Sequence, residues 1–192
     1  MSVDALPPVI VAGFGRCGSS LVMQMLHATD FPVTGEYPSF ECEEYQTGEL
    51  APPAGASKIL NLDCETPPGG PYRWIWLDRN PAQQAKSQAK LLRELGGIRM
   101  SRKSVRAMAC NYAPSRRASF DVMHRLGGPV LVLSFEQIVQ DPATAAKQIA
   151  EFVGCSGAGK MAAVVRRRGP ECLPYLLEAE LVASIRGRVD RP

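Results

Sequence analysis

Apolar residues are concentrated in four short runs along this chain, at residues 8–14, 58–62, 73–77 and 129–134. Longer amphipathic or polar segments separate these runs. Short apolar runs bounded by glycine, proline and polar residues are typical of strands that are buried on both faces of a sheet. The pattern therefore predicts four strands in a mostly parallel arrangement.

Helical signals follow the first and third of these strands. Across residues 19–29, apolar side chains recur at three- and four-residue intervals, which predicts an amphipathic helix. Asn80 and Pro81 supply an N-cap and a proline suited to the first helical position. The helix that they start is predicted to end at Gly96 and Gly97.

Two more helices are predicted in the second half of the chain. The basic stretch at residues 101–126 has helical character, and Pro114 is predicted to interrupt it because proline removes a backbone hydrogen bond. Asp141 and Pro142 begin a later capped helix. Strands that alternate with helices predict an α/β fold, in which a mostly parallel sheet of about four to five strands carries helices on both faces of a single domain. Ligands of such sheets bind beyond the carboxyl ends of the strands.

Composition and charge exclude several classes of function. Hydrophobic residues make up 45% of the chain and charged residues 21%, which is typical of a globular protein rather than a disordered one. The net charge of +3 is too small to indicate a nucleic-acid partner. No apolar run reaches the roughly 18 residues that a membrane-spanning helix requires, so no membrane span is expected.

The N-terminus and the cysteines predict the cellular compartment. The first residues lack the basic region of a signal peptide, and we therefore expect a cytoplasmic protein. The six cysteines are scattered, with no CxxC pair among them. We expect reduced thiols rather than disulfides or a zinc site.

The segment GFGRCGSS, at residues 13–20, joins the first predicted strand to the first predicted helix. Its glycines allow a tight turn, which would direct backbone amides at an anion on the helix N-terminus. The spacing matches the GxxxxG of a nucleotide-binding P-loop, but Ser19 stands where that loop has its lysine. The positive charge lies inside the loop instead, at Arg16. A glycine-rich turn without a ligand is the alternative interpretation.

The same segment, extended to GFGRCGSSL, resembles the 5′-phosphosulfate loop of sulfotransferases that use 3′-phosphoadenylyl sulfate (PAPS). That loop has a basic residue, a small residue, a glycine and two hydroxyl residues in order. The corresponding positions here are Arg16, Cys17, Gly18, Ser19 and Ser20. Cys17 stands where the family commonly has serine. The resemblance implies that these residues bind the phosphosulfate group.

A second motif lies in WIWLDRNPAQQAKSQ, at residues 74–88. It resembles the RxPxxxxxS pattern with which sulfotransferases bind the 3′-phosphate of the donor, with Arg79 and Ser87 as the binding residues. Ser87 lies nearly two helical turns beyond the predicted cap, so both residues would lie on one side of the helix. Two alternatives remain open. Arg79 and Ser87 could be surface residues, or Asp78 could be the metal-binding aspartate of a magnesium-binding NTPase.

Two weaker matches occur towards the C-terminus. Residues 132–154 resemble a strand and capped helix that sulfotransferases carry late in the chain. Arg167, Arg168 and Gly169 resemble a basic-basic-Gly segment that contacts the 3′-phosphate, although a run of arginines is often a solvated surface. The specific motifs cover about residues 8–90 and 130–154, and the chain is short for the family.

The resemblance implies a P-loop-containing nucleotide-hydrolase-like fold and a sulfuryl transfer from PAPS. No metal is expected. The acceptor would be a hydroxyl group of a small molecule, a carbohydrate or a peptide. A P-loop kinase that uses Mg-ATP is one alternative function, and an inactive nucleotide-binding protein is another.

The catalytic base is the least defined part of the resemblance. Neither His27 nor His124 is at the position of the base in the cytosolic members. Branches that act on protein tyrosines and on trehalose use a glutamate shortly after the first helix, and Glu36 occupies that place. The nearby alternatives are Glu41, Glu43 and Glu44. Lys58 is a further catalytic candidate, which would steady the transferred group.

Overall fold

The computed structural model describes residues 7–49 and 51–166, and within them the chain forms four strands and seven helices. The strands are β1 (Val9–Gly13), β2 (Ala56–Leu60), β3 (Arg73–Asp78) and β4 (Val130–Ser134). The helices are α1 (Ser19–His27), α2 (Glu43–Gln46), α3 (Pro81–Gly96), α4 (Arg102–Leu126), α5 (Phe135–Gln140), α6 (Pro142–Val153) and α7 (Ala158–Val164).

The four strands form one parallel sheet in the order β2-β1-β3-β4. Val9 of β1 pairs with Ala56 of β2 on one side and with Arg73 of β3 on the other. Because all four strands run in the same direction, their carboxyl ends lie along one edge of the sheet. The loop that follows β1 is therefore adjacent to the segments that follow β2 and β3.

Helices cover both faces of the sheet, and alternate residues of β3 show how the two faces differ. Ile75 and Leu77 pack into a core with α1, α5, α6 and α7. Trp74 and Trp76 are fully buried in a second core, to which Met123 of α4 belongs. Both faces of the sheet are apolar at β1 and β3, which explains the continuous hydrophobic runs of these strands. The prediction of burial on both faces is wrong for the edge strand β4, whose Val130 and Val132 are exposed. The predicted α/β fold class, with a parallel sheet between helices, is confirmed.

One prediction about α4 is wrong, because Pro114 does not interrupt it. The helix continues from Arg102 to Leu126 with Pro114 inside, exposed on its surface. Tyr112 and Phe120 pack against the second core on either side of the proline. These tertiary contacts hold the two halves in one helix although the proline removes a backbone hydrogen bond.

Several boundaries also differ from the sequence pattern. The second strand begins at Ala56 rather than Lys58, because Ala56 and Ser57 pair with the start of β1. Helix α5 follows β4 directly, and Ser134 caps it by accepting a hydrogen bond from the Gln137 amide at 3.0 Å. No helix in residues 7–49 or 51–166 is long and apolar enough to cross a membrane.

The continuity of α4 predicts opposite effects for two neighbouring exposed positions. Pro114→Ala restores a helical hydrogen bond, and we expect the free energy of unfolding to rise by about 1–2 kcal/mol, since relief of the helical penalty exceeds the entropy gained by the unfolded chain. Ala113→Gly should lower it by about 1 kcal/mol, as in any helix interior. Urea unfolding measures both. If α4 were interrupted at Pro114, both variants would have a free energy of unfolding close to that of the wild-type protein.

Candidate functional site

The loop between β1 and α1 has a tight backbone that depends on Gly18. Gly18 is the N-cap of α1 and has a φ of 100°, in the left-handed region. A Cβ atom at this position would lie 2.7 Å from Cδ2 of Phe135, so no larger residue fits without displacing the Phe135 ring. Arg16 also has a positive φ, of 71°. A non-glycine residue in this conformation is uncommon and often marks a functional turn.

A cavity of about 360 Å³ opens over this loop. Its lining includes Gly15, Arg16, Gly18, Ser19 and Ser20 of the loop and the start of α1, together with Lys58, Arg79, Phe135 and Arg166. Four of the lining residues are basic, and Glu41 is the one acidic residue among those that the structure describes. The charge of the lining and the helix N-terminus both favour an anionic ligand.

Arg16, Arg79 and Ser87 meet beside the loop, although they are far apart in the sequence. Nε of Arg16 donates to Oγ of Ser87 at 3.2 Å, and Nη1 of Arg79 donates to the backbone carbonyl of Arg16 at 2.8 Å. The Arg79 guanidinium also lies over the Phe135 ring, 4.3 Å from its centroid. Arg79 and Ser87 are both buried. The two motifs that the sequence identified separately therefore form one cluster.

Helix α3 is held against the loop by its first turns. The Asn80 side chain accepts hydrogen bonds from the amides of Ala82 and Gln83, both at 3.1 Å, which fixes the start of the helix next to β3. Nε2 of Gln84 then donates to the carbonyls of Phe14 and Gly15, at 3.2 and 2.9 Å. Sequence reasoning missed Gln84. Its position three residues before Ser87, on the same helical face, was the available signal.

Lys58 enters the cavity from β2. Its Nζ atom donates to the Ser39 carbonyl at 2.6 Å, to Oε1 of Glu41 at 2.9 Å and to Oγ of Ser20 at 3.2 Å. The lysine side chain is 1% exposed, whereas that of Glu41 is 59% exposed. Burial lowers the pKa of Lys58 from its ordinary value, and the Glu41 carboxylate opposes this shift. Lys58 thus lies next to one of the loop hydroxyls.

The structure places Glu36 outside this cavity. Glu36 is exposed and lines a separate depression of about 530 Å³, which it shares with Glu41 and other residues of the same segment. Glu41 lines both the depression and the cavity over the loop. Among the carboxylates that the sequence proposed as bases, Glu41 is therefore the one whose side chain adjoins the loop.

Of two other sequence predictions, one concerns a residue beneath the loop and the other concerns residues outside the described part of the chain. Cys17 is fully buried in the core beneath the loop, and burial raises the pKa of its thiol. Its side chain is not part of the cavity lining. Arg167, Arg168 and Gly169 lie outside the described residues, and the preceding residue, Arg166, lines the cavity.

Asp78, the alternative metal-binding residue, is engaged in an ion pair. Arg116 of α4 donates to both carboxylate oxygens, with Nε at 2.9 Å from Oδ1 and Nη2 at 2.8 Å from Oδ2. Nε1 of Trp76 donates to Oδ1 at 2.7 Å. These contacts turn Asp78 towards α4, and it is not among the residues that line the cavity over the loop. Within the part of the chain that is described, no group of three or more His, Cys, Asp or Glu side chains could hold a metal.

Comparison with known proteins identifies the fold. No family model and no curated protein matches the chain. A sulfotransferase structure, STF9 from Mycobacterium avium, matches with a TM-score of 0.55 at 12% identity, over 96% of this chain and 76% of that one. The chain has the P-loop-like fold of sulfotransferases.

Two further solved structures share this fold. Mouse sulfotransferase SULT7A1, complexed with adenosine 3′,5′-bisphosphate (PAP), matches with a TM-score of 0.55 at 14% identity, over 82% of this chain. A retinol dehydratase in complex with androsterone and the inactive cofactor PAP matches with the same TM-score at 15% identity, also over 82%. The chain spans 61% of the length of the mouse protein and 62% of the length of the dehydratase.

The loop geometry predicts that two of its glycines differ in their tolerance of a methyl group. Gly18→Ala places a Cβ against Phe135 and forces alanine into a left-handed conformation, and we expect it to lower the free energy of unfolding by about 1–3 kcal/mol. Gly15→Ala is the matched control. Its Cβ would meet only the end of the flexible Gln88 side chain, at 3.0 Å, and its effect should stay within about 0.5 kcal/mol.

Chemical denaturation of the two variants measures the difference. Equal losses of stability in Gly15→Ala and Gly18→Ala would contradict the assignment of the strained position to Gly18.

Proposed function

We propose that this protein is a PAPS-dependent sulfotransferase that transfers a sulfuryl group to a hydroxyl acceptor. The observation that carries the proposal is the cluster of Arg16, Arg79 and Ser87 beside the glycine loop. PAPS differs from ATP in its 3′-phosphate and in its sulfuryl group. A site for PAPS therefore needs a second anion-binding position besides the loop, and Arg79 with Ser87 supplies one.

The first anion-binding position is the loop itself. The amides at the start of α1 would bind the 5′-phosphosulfate, as at other helix N-termini. Arg16, Lys58 and the hydroxyls of Ser19 and Ser20 would add charge and hydrogen-bond donors. A sulfuryl group carries less negative charge than a phosphoryl group, so these groups would suffice without the lysine and magnesium of an NTP-hydrolysing loop.

The second anion-binding position is preorganised for the 3′-phosphate. The hydrogen bond to the Arg16 carbonyl and the stacking on Phe135 hold the Arg79 guanidinium in one orientation. A guanidinium held in this way can offer two parallel donors to phosphate oxygens. Ser87 lies next to it, and Arg166 adds a further charge at the cavity. Arg167, Arg168 and Gly169 are proposed as further ligands of the 3′-phosphate by their resemblance to the basic-basic-Gly segment alone.

The reaction would be an in-line transfer. The acceptor oxygen forms a bond to sulfur while the bond between sulfur and the bridging oxygen of the donor breaks, and PAP leaves. We assign the hydroxyl proton to Glu36 as the general base, by resemblance to the branches that use a glutamate here. Glu41 is the competing candidate because it lines the cavity. Positioning and preorganised charge would supply most of the rate enhancement.

The two alternative functions predict different behaviour. A kinase of this fold would need a carboxylate for magnesium near the loop, and the ion pair of Asp78 with Arg116 disfavours that role for Asp78. An inactive nucleotide-binding protein would bind the donor and leave every acceptor unmodified.

A thermal-shift experiment tests the donor. PAP without magnesium should raise the melting temperature, and at a hundred times its dissociation constant it should stabilise the fold by about 2.7 kcal/mol. AMP, which lacks the 3′-phosphate, should raise the melting temperature much less. Arg79→Ala should reduce the effect of PAP towards that of AMP, because it removes a charge-assisted partner of the 3′-phosphate. Equal shifts from PAP and AMP, or a larger shift from Mg-ATP, would refute the assignment of the donor.

The base is tested by three single substitutions. Glu36→Gln keeps the size of the side chain but cannot accept a proton, and we expect turnover to fall by about 10²–10⁴-fold while PAP affinity stays near wild type. Glu43→Gln, on an exposed residue of the same segment, should leave turnover nearly unchanged. The measurement is steady-state transfer from PAPS to one phenolic acceptor. Normal turnover in Glu36→Gln, with loss of turnover in Glu41→Gln, would move the role to Glu41.

A further inference from the structure

A second cavity lies at the same edge of the sheet, on the α4 side. It has a volume of about 610 Å³ and lies between the segment that follows β2 and one side of α4. Asn61 lines both this cavity and the cavity over the glycine loop. The Asn61 amide donates to the Gly13 carbonyl at 3.0 Å, which ties the junction of the two cavities to the first glycine of the loop. The two cavities are therefore neighbours on either side of Asn61, beside the loop.

One wall of the second cavity is aromatic. Phe14 and Tyr112 both line it, and their rings stack with centroids 5.4 Å apart and an interplanar angle of 29°. Trp76 makes an edge-to-face contact with Phe14, with the two ring centroids 5.4 Å apart. Such a wall suits the flat apolar face of an aromatic ligand.

The charged groups of this cavity have the opposite sign to those of the donor cavity. Asp63 and Glu65 line it, and none of its lining residues in the described part of the chain is Lys, Arg or His. Two carboxylates that line a cavity with no basic side chain beside them favour a ligand that brings a positive charge and hydrogen-bond donors.

We propose that this cavity binds the acceptor, and that the acceptor is a phenol carrying a protonated amine. The ring would lie against Phe14 and Tyr112, and the ammonium group would contact Asp63 and Glu65. The phenolic hydroxyl would then extend past Asn61 to the loop. There its oxygen forms the bond to sulfur, its proton passes to the general base, and PAP leaves with the electrons of the broken S–O bond. This inference rests on the proposed sulfuryl transfer.

The test compares tyramine with 4-ethylphenol, which has the same ring and hydroxyl but no amine. Each is titrated by calorimetry into protein saturated with PAP. We expect tyramine to bind at least tenfold more tightly to the wild-type protein. Asp63→Asn should remove that preference and leave the affinity for PAP unchanged. Asn111→Lys, which places a positive charge on an exposed residue of the lining, should remove it as well.

Glu151→Gln is the control for net charge, because it removes one negative charge from an exposed position on α6, away from both cavities. It should keep the tyramine preference in full. Equal affinities of the wild-type protein for tyramine and 4-ethylphenol, or a preference that survives both Asp63→Asn and Asn111→Lys, would overturn the proposal. Failure of PAP to bind would instead refute the proposed donor. Tyramine and 4-ethylphenol would then be titrated into the protein without PAP, and their relative affinities would still test this cavity.

Discussion

The contact on which the candidate site depends is the hydrogen bond from Arg79 to the backbone carbonyl of Arg16. It joins the segment after β3 to the loop after β1, and it holds Arg16, a non-glycine loop residue with a positive φ. Arg16 in turn donates to Ser87 of α3. The order of the strands makes this possible, because β1 and β3 are neighbours and end at the same edge. Loop, strand end and helix therefore form one unit.

This unit concentrates positive charge. Arg16 and Arg79 are close together, and Lys58 and Arg166 line the same cavity. Like charges held together in a partly buried site repel one another, and the Phe135 ring and the Arg16 carbonyl stabilise the Arg79 guanidinium against this repulsion. An anionic ligand in the cavity would add to that stabilisation. Glu41 pairs with Lys58 and so lowers the net positive charge of the cavity lining.

Much of the fold could be predicted from local patterns. The apolar runs locate the four strands, and the caps at Asn80 and Asp141 place the starts of α3 and α6 correctly. The continuity of α4 through Pro114 could not be predicted, because it depends on packing against residues that are distant in the sequence. For a similar reason, the second strand begins two residues earlier than the sequence predicted. Pairing with β1 defines its start, and that pairing is distant in the sequence.

The candidate site likewise contains residues that local sequence patterns predicted and others whose positions depend on tertiary packing. The spacing of Arg79 and Ser87 was visible in the sequence, and the structure brings both to Arg16. The contact of Lys58 with Ser20 and the burial of Cys17 depend on how β2 and α1 pack, which no local pattern encodes. Motif spacing therefore identifies the residues next to a backbone turn. It does not distinguish Glu41 from the other carboxylates of a polar segment.

The most direct test of the central claim is a crystal structure of the protein with PAP. We expect the 5′-phosphate on the amides at the start of α1, and the 3′-phosphate within hydrogen-bond distance of Arg79 and Ser87. A 3′-phosphate that points into solvent, with Arg79 contacting only the Arg16 carbonyl, would contradict the account.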